Sequence, residues 1–200
     1  MNGMRALITT ILLLASCSHP KPTPSTSLPP VKPTPTVAAA MSKLGFMRGV
    51  WEGVAEGKTP DGKHYKVTQT ERMGPLLGGD VIVIEGRGYE ADGSTAFNAL
   101  AVVSWNLHTR AYEIRSYTQG HAGTFPLELT ADGYVWQVPA GPGAVMRFTA
   151  TVTADRWREV GDYVADGRPP VRSFEMNLSR VGDTDWPLTT PVSPRTPTTR

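Results

Sequence analysis

Turn-forming residue pairs divide most of the chain at nearly regular intervals, and this spacing constrains the fold more than any other feature. Each pair favours the tight turn of a β-hairpin. The pairs are Asp61-Gly62, Gly78-Gly79, Asp92-Gly93, Asp132-Gly133, Pro142-Gly143 and Asp166-Gly167. The segments between them are rich in β-branched and aromatic residues, which favour strands.

About ten strands follow from this pattern. They are predicted over 51–57, 64–73, 80–89, 95–105, 111–118, 124–129, 134–138, 144–153, 157–164 and 171–181. The only helix-like stretch is short, at 37–46, so a parallel sheet with helical crossovers is excluded. The predicted fold is all-β: a single antiparallel up-and-down barrel of about ten strands with a short N-terminal helix.

Alternation of apolar and polar residues within the strands predicts one buried face and one solvent-exposed face. In 95–105 one face carries apolar residues at every second position, ending in Trp105, and in 134–138 Trp136 belongs to a similar face. About 150 residues of this kind can bury enough surface for one stable core.

Proline and charge separate the two ends from the domain. Eleven of the 18 prolines lie in 18–36 and 187–200, which are too poor in apolar residues to build a core. We therefore expect a Pro-rich tether over 17–36, the domain over 37–186 and a disordered tail over 187–200. The domain holds 15 Lys+Arg and 18 Asp+Glu, a balance of −3, which argues against a nucleic-acid partner.

The first 16 residues have the features of a signal peptide: a basic Arg5, then a short apolar run. Leu14-Ala15-Ser16-Cys17 resembles the lipobox of bacterial lipoproteins. The resemblance implies that Cys17 is acylated and anchors the protein to a membrane. In such lipoproteins, an Asp directly after the acylated cysteine favours retention in the inner membrane. This position is Ser18 here, which implies the outer membrane, with the domain in the periplasm. The alternative is an ordinary signal peptide with an incidental cysteine.

The first predicted strand carries Gly49, Trp51 and Gly53, and the last carries Arg180. This G-x-W pattern resembles the calycin superfamily, which includes the lipocalins and fatty-acid-binding proteins. The resemblance implies that Trp51 plugs the narrow end of a barrel and that Arg180 packs across the indole, which a cation–π contact would favour.

Residues 44–53, 71–88 and 174–181 are similar to an uncharacterised bacterial lipocalin-like family whose members often carry lipoprotein signals. The pattern also resembles the ten-stranded nitrobindin barrels, which bind haem through a histidine late in the chain. No histidine follows His121 here, so haem is disfavoured and no cofactor is expected.

Polar residues inside apolar strands are the candidates for ligand contact. Arg115, Tyr117 and Arg147, together with Glu71 and Glu113, could hold a headgroup, with Trp105 and Trp136 as the apolar wall. The alternative, which ordinary alternation favours, is that the polar residues form the wet outer face.

No catalytic or metal site is predicted. His64, His108 and His121 lack the spacing of metal ligands, with His121 assigned to a loop, and no serine elbow is present. Three functions remain: a carrier of a small, largely apolar molecule, which we favour, an envelope interaction module with a filled barrel, and an enzyme. The oligomeric state is left open.

Overall fold

The computed structural model describes residues 35–59 and 61–187, so the lipobox, most of the tether and nearly all of the tail lie outside the described residues. One helix, α1 (Pro35–Ser42), precedes ten strands. The strands are β1 (Gly49–Lys58), β2 (His64–Leu76), β3 (Val81–Tyr89), β4 (Thr95–Asn106), β5 (Ala111–Thr118), β6 (His121–Leu129), β7 (Gly133–Pro139), β8 (Ala144–Val152), β9 (Arg156–Ala165) and β10 (Val171–Gly182).

Every strand pairs with its neighbours in sequence, and β1 also pairs with β10, so the sheet closes into an antiparallel barrel. The predicted fold class is confirmed. Two details differ: His121 begins β6 rather than lying in a loop, and the predicted helix ends at Ser42. A 3-10 turn, Gly45–Met47, follows the helix, because glycine in this segment disfavours a continued α-helix.

The helix and the 3-10 turn cover one end of the barrel, which we call the base. Met41, Leu44, Met47 and Trp51 are at most 1% exposed there. The Trp51 indole donates a hydrogen bond to the Met47 carbonyl at 3.2 Å, and the Tyr112 hydroxyl donates to the Ala40 carbonyl at 2.6 Å. These contacts attach the helix to the sheet and exclude water from the base.

The segment after β10 returns along the outer wall. Thr184 and Trp186 lie over Gly74 of β2, where an added Cβ would come within 2.6 Å of the Trp186 side chain. Arg72 pairs with Asp185 at 3.4 Å. Glycine at position 74 therefore provides the space in which this segment lies against the sheet.

Candidate functional site

Four buried polar side chains form a connected group inside the barrel, and we call them the inner polar cluster. They are Gln69 and Glu71 on β2, Tyr134 on β7 and Glu159 on β9. Each lies on the strand face that also carries core residues, such as Val67 and Met73 on β2. Glutamate is rarely buried without a partner, so the two carboxyl groups need an explanation.

Glu71 accepts a hydrogen bond from the Gln69 amide at 2.8 Å. Burial raises the pKa of Glu71 to about 8; the Gln69 hydrogen bond opposes the rise, and the nearby charges of Glu159 and Glu85 add to it. An added Cβ at Gly86 of β3 would lie 2.6 Å from a Glu71 carboxyl oxygen. Glycine at that position thus leaves the space that this carboxyl group fills.

Glu159 accepts a hydrogen bond from the Tyr134 hydroxyl at 2.6 Å. Burial raises the pKa of Glu159 to about 7, while interactions with the Tyr134 and Trp136 side chains oppose that rise. Burial and the neighbouring Glu159 also hold the pKa of Tyr134 well above its ordinary value. Near neutral pH the two carboxyl groups are therefore close to their titration points.

The inner polar cluster has no basic neighbour among the described residues. The lysine and arginine side chains of 35–59 and 61–187 lie on the outer surface or at the barrel ends, and none contributes to the pKa of Glu71 or Glu159. Trp157, which precedes Glu159 by two positions on the inner face of β9, has a buried indole nitrogen that forms no hydrogen bond of ordinary geometry among the described residues and interacts with the Tyr134 side chain. The cluster thus combines two carboxyl groups that lack a cationic partner with an indole donor beside them.

Aromatic side chains line the barrel beyond the cluster, toward the end opposite the base, and we call this region the upper lumen. Trp136 stacks on Phe148 at 4.6 Å between ring centroids, and Phe125 and Phe174 lie 6.0 Å from members of that pair. These side chains keep partial solvent exposure, as does Phe97 of the inner face of β4. The upper lumen therefore contains accessible apolar surface, unlike the base.

The residues proposed from sequence as ligand contacts separate in the structure. Trp136 lies in the upper lumen, but Trp105 lies at the base, edge-on to Tyr112 at 4.8 Å. Arg115, Tyr117 and Arg147 lie on the outer wall, since their strand neighbours face inward. The Arg115 guanidinium sits 5.7 Å from the centre of the Tyr117 ring, so the two side chains contact each other outside the barrel.

The G-x-W residues occupy the base. Trp51 is fully buried and meets Trp157 edge-on at 5.9 Å. Gly53 lets β10 approach closely, because an added Cβ would lie within 3 Å of its backbone. Arg180 lies opposite Trp51 in the β1–β10 register, close to Gly49, and its guanidinium pairs with Asp183.

The described histidines lie at strand ends and in a turn. His64, His108 and His121 are exposed, and His121 begins β6 on the face that also carries Phe125 and Leu127. Within residues 35–59 and 61–187 there is also no group of three His, Cys, Asp or Glu side chains arranged for a metal ion.

Sequence reasoning noted Glu71 but did not find the inner polar cluster. Its four members come from three strands that are far apart in sequence. A local signal was present on β2, where Val67, Gln69, Glu71 and Met73 share one face, so that two polar residues interrupt an apolar row. A second signal was Trp157 and Glu159 on one face of β9.

Two clefts lie away from the cluster. The larger, of about 530 Å³, lies beside Leu100, Tyr117 and Trp186, and the smaller, of about 410 Å³, lies at the rim beside Tyr65 and Phe174. Leu100 and Tyr117 are about two-fifths exposed. The larger cleft thus places apolar surface on the outer wall.

The structure defines a closed ten-stranded antiparallel barrel with a covered base and a polar cluster inside. It is similar to the crystal structure of Rv2717c from M. tuberculosis, with a TM-score of 0.54, 14% sequence identity, and coverage of 72% of this chain and 98% of that one. This similarity shows the fold alone. No family model matches the chain, and no curated protein does. No helix among the described residues is long and apolar enough to span a membrane.

Proposed function

We propose that the chain is a lipid-anchored envelope protein of the lipocalin-like class whose barrel binds a small, largely apolar molecule. The observation that carries the binding proposal is the upper lumen, where Trp136, Phe148 and Phe174 face inward and keep accessible surface. A barrel filled by its own side chains would bury them, whereas ligand sites combine aromatic walls with a few polar groups. Binding requires no chemistry on the ligand.

Native mass spectrometry of the chain purified from its own host tests the binding. We expect a co-purifying small molecule whose mass is lost on denaturation. Trp136→Ala is expected to lower its occupancy, and Trp186→Ala on the outer wall is the matched control. An apo mass that persists after incubation with a lipid extract of the host would overturn the proposal.

The envelope location rests on the lipobox at Leu14–Cys17 and on the Pro-rich tether, which lie outside the described residues except at the tether's end. An inhibitor of signal peptidase II is expected to cause the full-length precursor to accumulate. Cys17→Ala is expected to abolish acylation, and Ser18→Asp to shift the protein from the outer to the inner membrane. Absence of precursor accumulation would contradict the lipoprotein assignment.

A second candidate function is an interaction module of the envelope, and the larger outer cleft favours it. Leu100 and Tyr117 oppose each other in the β4–β5 register and leave apolar surface exposed there. Photo-crosslinking from position 100 in cells would then give a defined product that position 56, on the outer face of β1, does not give. An empty lumen together with such a product would favour this function over ligand carriage.

A further inference from the structure

The two glutamates inside the barrel have no cationic partner among the described residues, and a buried carboxylate requires one when it is ionised. Removing a carboxylate from water is unfavourable unless a cation or several hydrogen bonds replace the water. Glu71 accepts one hydrogen bond, from Gln69, and Glu159 accepts one from Tyr134 and also interacts with the Trp136 side chain. Since each carboxylate can accept about four, most of the acceptor capacity inside the barrel is unused.

Within residues 35–59 and 61–187, no cationic side chain supplies this charge to the pair. The strands between Glu71 and Glu159 in the closed sheet are β1 and β10, whose inner faces present Ala55, Met176 and Leu178. Gly86 faces Glu71 from β3, and Ala150 lies opposite Glu159 on β8. The titratable groups that influence the pair are Tyr134 and, from the outer wall, Glu85.

The site nevertheless has the features of a binding site. The buried Trp157 indole nitrogen forms no hydrogen bond of ordinary geometry among the described residues, but it interacts with the Tyr134 side chain, which places it at the cluster. The accessible aromatic surface of Trp136 and Phe148 adjoins the cluster, because Trp136 also interacts with Glu159. The polar groups of the cluster therefore adjoin the apolar, aromatic surface of the upper lumen.

We propose that the ligand of this lumen carries a basic nitrogen on an aromatic or aliphatic body, and that its ammonium group binds between Glu71 and Glu159. This inference rests on the proposed ligand-binding function. The ammonium group donates to the free carboxyl oxygens and supplies the missing positive charge, while the apolar body contacts Trp136 and Phe148. An anionic ligand of the same shape is disfavoured, because it adds negative charge beside two acidic groups and supplies no counter-charge.

A matched series of three probes tests the proposal by isothermal titration calorimetry. The probes are 1-naphthylmethylamine, 1-naphthalenemethanol and 1-naphthoic acid, each repeated with its benzyl counterpart in case the larger body does not fit. The protein is the full chain carrying Cys17→Ser, which removes only the expected acyl acceptor. We expect the amine to bind at least about tenfold more tightly than the alcohol, because hydrogen bonds between charged groups are the stronger ones, and the acid to bind most weakly.

Glu71→Gln combined with Glu159→Gln is expected to remove the preference for the amine and to keep the affinity for the alcohol. The control combines Glu52→Gln with Glu56→Gln, two exposed carboxyl groups on the outer face of β1, and is expected to keep the preference. Circular dichroism establishes that each variant folds.

A measurement on the unsubstituted lumen keeps the test valid if the double variant does not fold. Binding of the ammonium ion to a protonated carboxyl group releases that proton, whereas binding of the alcohol does not. Titrations at pH 7.5 in buffers with different ionisation enthalpies are expected to show proton release for the amine alone.

The outcomes separate the two proposals. If all three probes bind with similar affinity, or if the amine binds without proton release, the basic-ligand inference is overturned and the apolar carrier stands. If no probe binds and no host molecule co-purifies, both proposals are overturned.

Discussion

The base and the upper lumen are two halves of one barrel, built from the same ten strands, and they differ in how completely side chains fill them. At the base, Trp51 and Val103 are fully buried and α1 covers the opening. Beyond the inner polar cluster, inward-facing aromatic residues keep accessible surface, and the two carboxyl groups of the cluster have no cationic partner among the described residues. The difference indicates that the base stabilises the fold, whereas the upper lumen keeps the accessible surface that the proposed ligand would contact.

Trp51→Ala is expected to have the largest effect on stability. It removes a fully buried indole, its edge-on contact with Trp157 and its hydrogen bond to Met47. We expect a loss of about 3–5 kcal/mol in the free energy of unfolding, measured by urea denaturation. Trp136→Ala in the upper lumen should cost distinctly less, because its ring is only partly buried, and an equal loss would show that both halves are packed alike.

The stability of the protein is expected to fall as pH rises from about 5 to 8. The pKa values of Glu71 and Glu159 are raised from 4.5 to about 8 and about 7, so in this range the folded state binds more protons than the unfolded chain. Their stabilising effect is therefore fully present below pH 4.5 and is lost as pH rises through the folded-state pKa values. Each group contributes a slope of about 1 kcal/mol per pH unit.

Urea denaturation at pH 5, 6, 7 and 8 measures this slope. Glu71→Gln combined with Glu159→Gln should flatten it and should make the chain more stable at pH 8 than the unsubstituted chain. The pair Glu52→Gln and Glu56→Gln serves as the control. A slope that the inner substitutions leave unchanged would show that the two carboxyl groups are not buried in solution.

Gly86→Ala tests the space that holds Glu71. The new methyl group would lie 2.6 Å from a carboxyl oxygen, so we expect a loss of about 1–3 kcal/mol in the free energy of unfolding. Adding Glu71→Ala should recover part of that loss in a double-mutant cycle. Gly182→Ala, where an added Cβ meets no atom within 4 Å, is the control. Additive effects of the Gly86 and Glu71 substitutions would contradict this packing.

The smallest effect is expected on the outer wall. Arg115→Ala and Tyr117→Ala each remove an exposed cation–π contact and should change stability by about 0.5–1 kcal/mol. Neither should alter the affinity of the lumen for the naphthyl probes. A large change in that affinity would indicate that these residues contact the ligand, which was one of the two interpretations offered by the sequence.

The strand pattern was predictable because it depends on local chemistry. Turn pairs such as Asp92-Gly93 end strands wherever they occur, and alternating apolar residues need one buried face. The structure accordingly places all ten strands close to their predicted bounds. The start of β6 was missed because the turn there uses Gln119 at a positive φ of 45°, a conformation that sequence does not signal for glutamine.

Whether Arg115 and Arg147 face the lumen could not be decided from alternation alone, although the preferred interpretation placed them on the outer face of the barrel. Alternation separates two faces but does not say which is the lumen when both carry mixed residues. In β5, Tyr112 and Ile114 turn inward because they meet the helix and the core, and this fixes Arg115 and Tyr117 outside.

The sequence by itself determined the number of strands, their order and the polar or apolar character of each face, since these follow from neighbouring residues. The tertiary structure alone decided which carboxyl groups share the interior. Glu71 and Glu159 stand 88 positions apart in the sequence. Only closure of β1 on β10 brings β2 and β9 within electrostatic reach across the lumen, and only then does burial raise their pKa values. The candidate site is thus a consequence of closing the barrel.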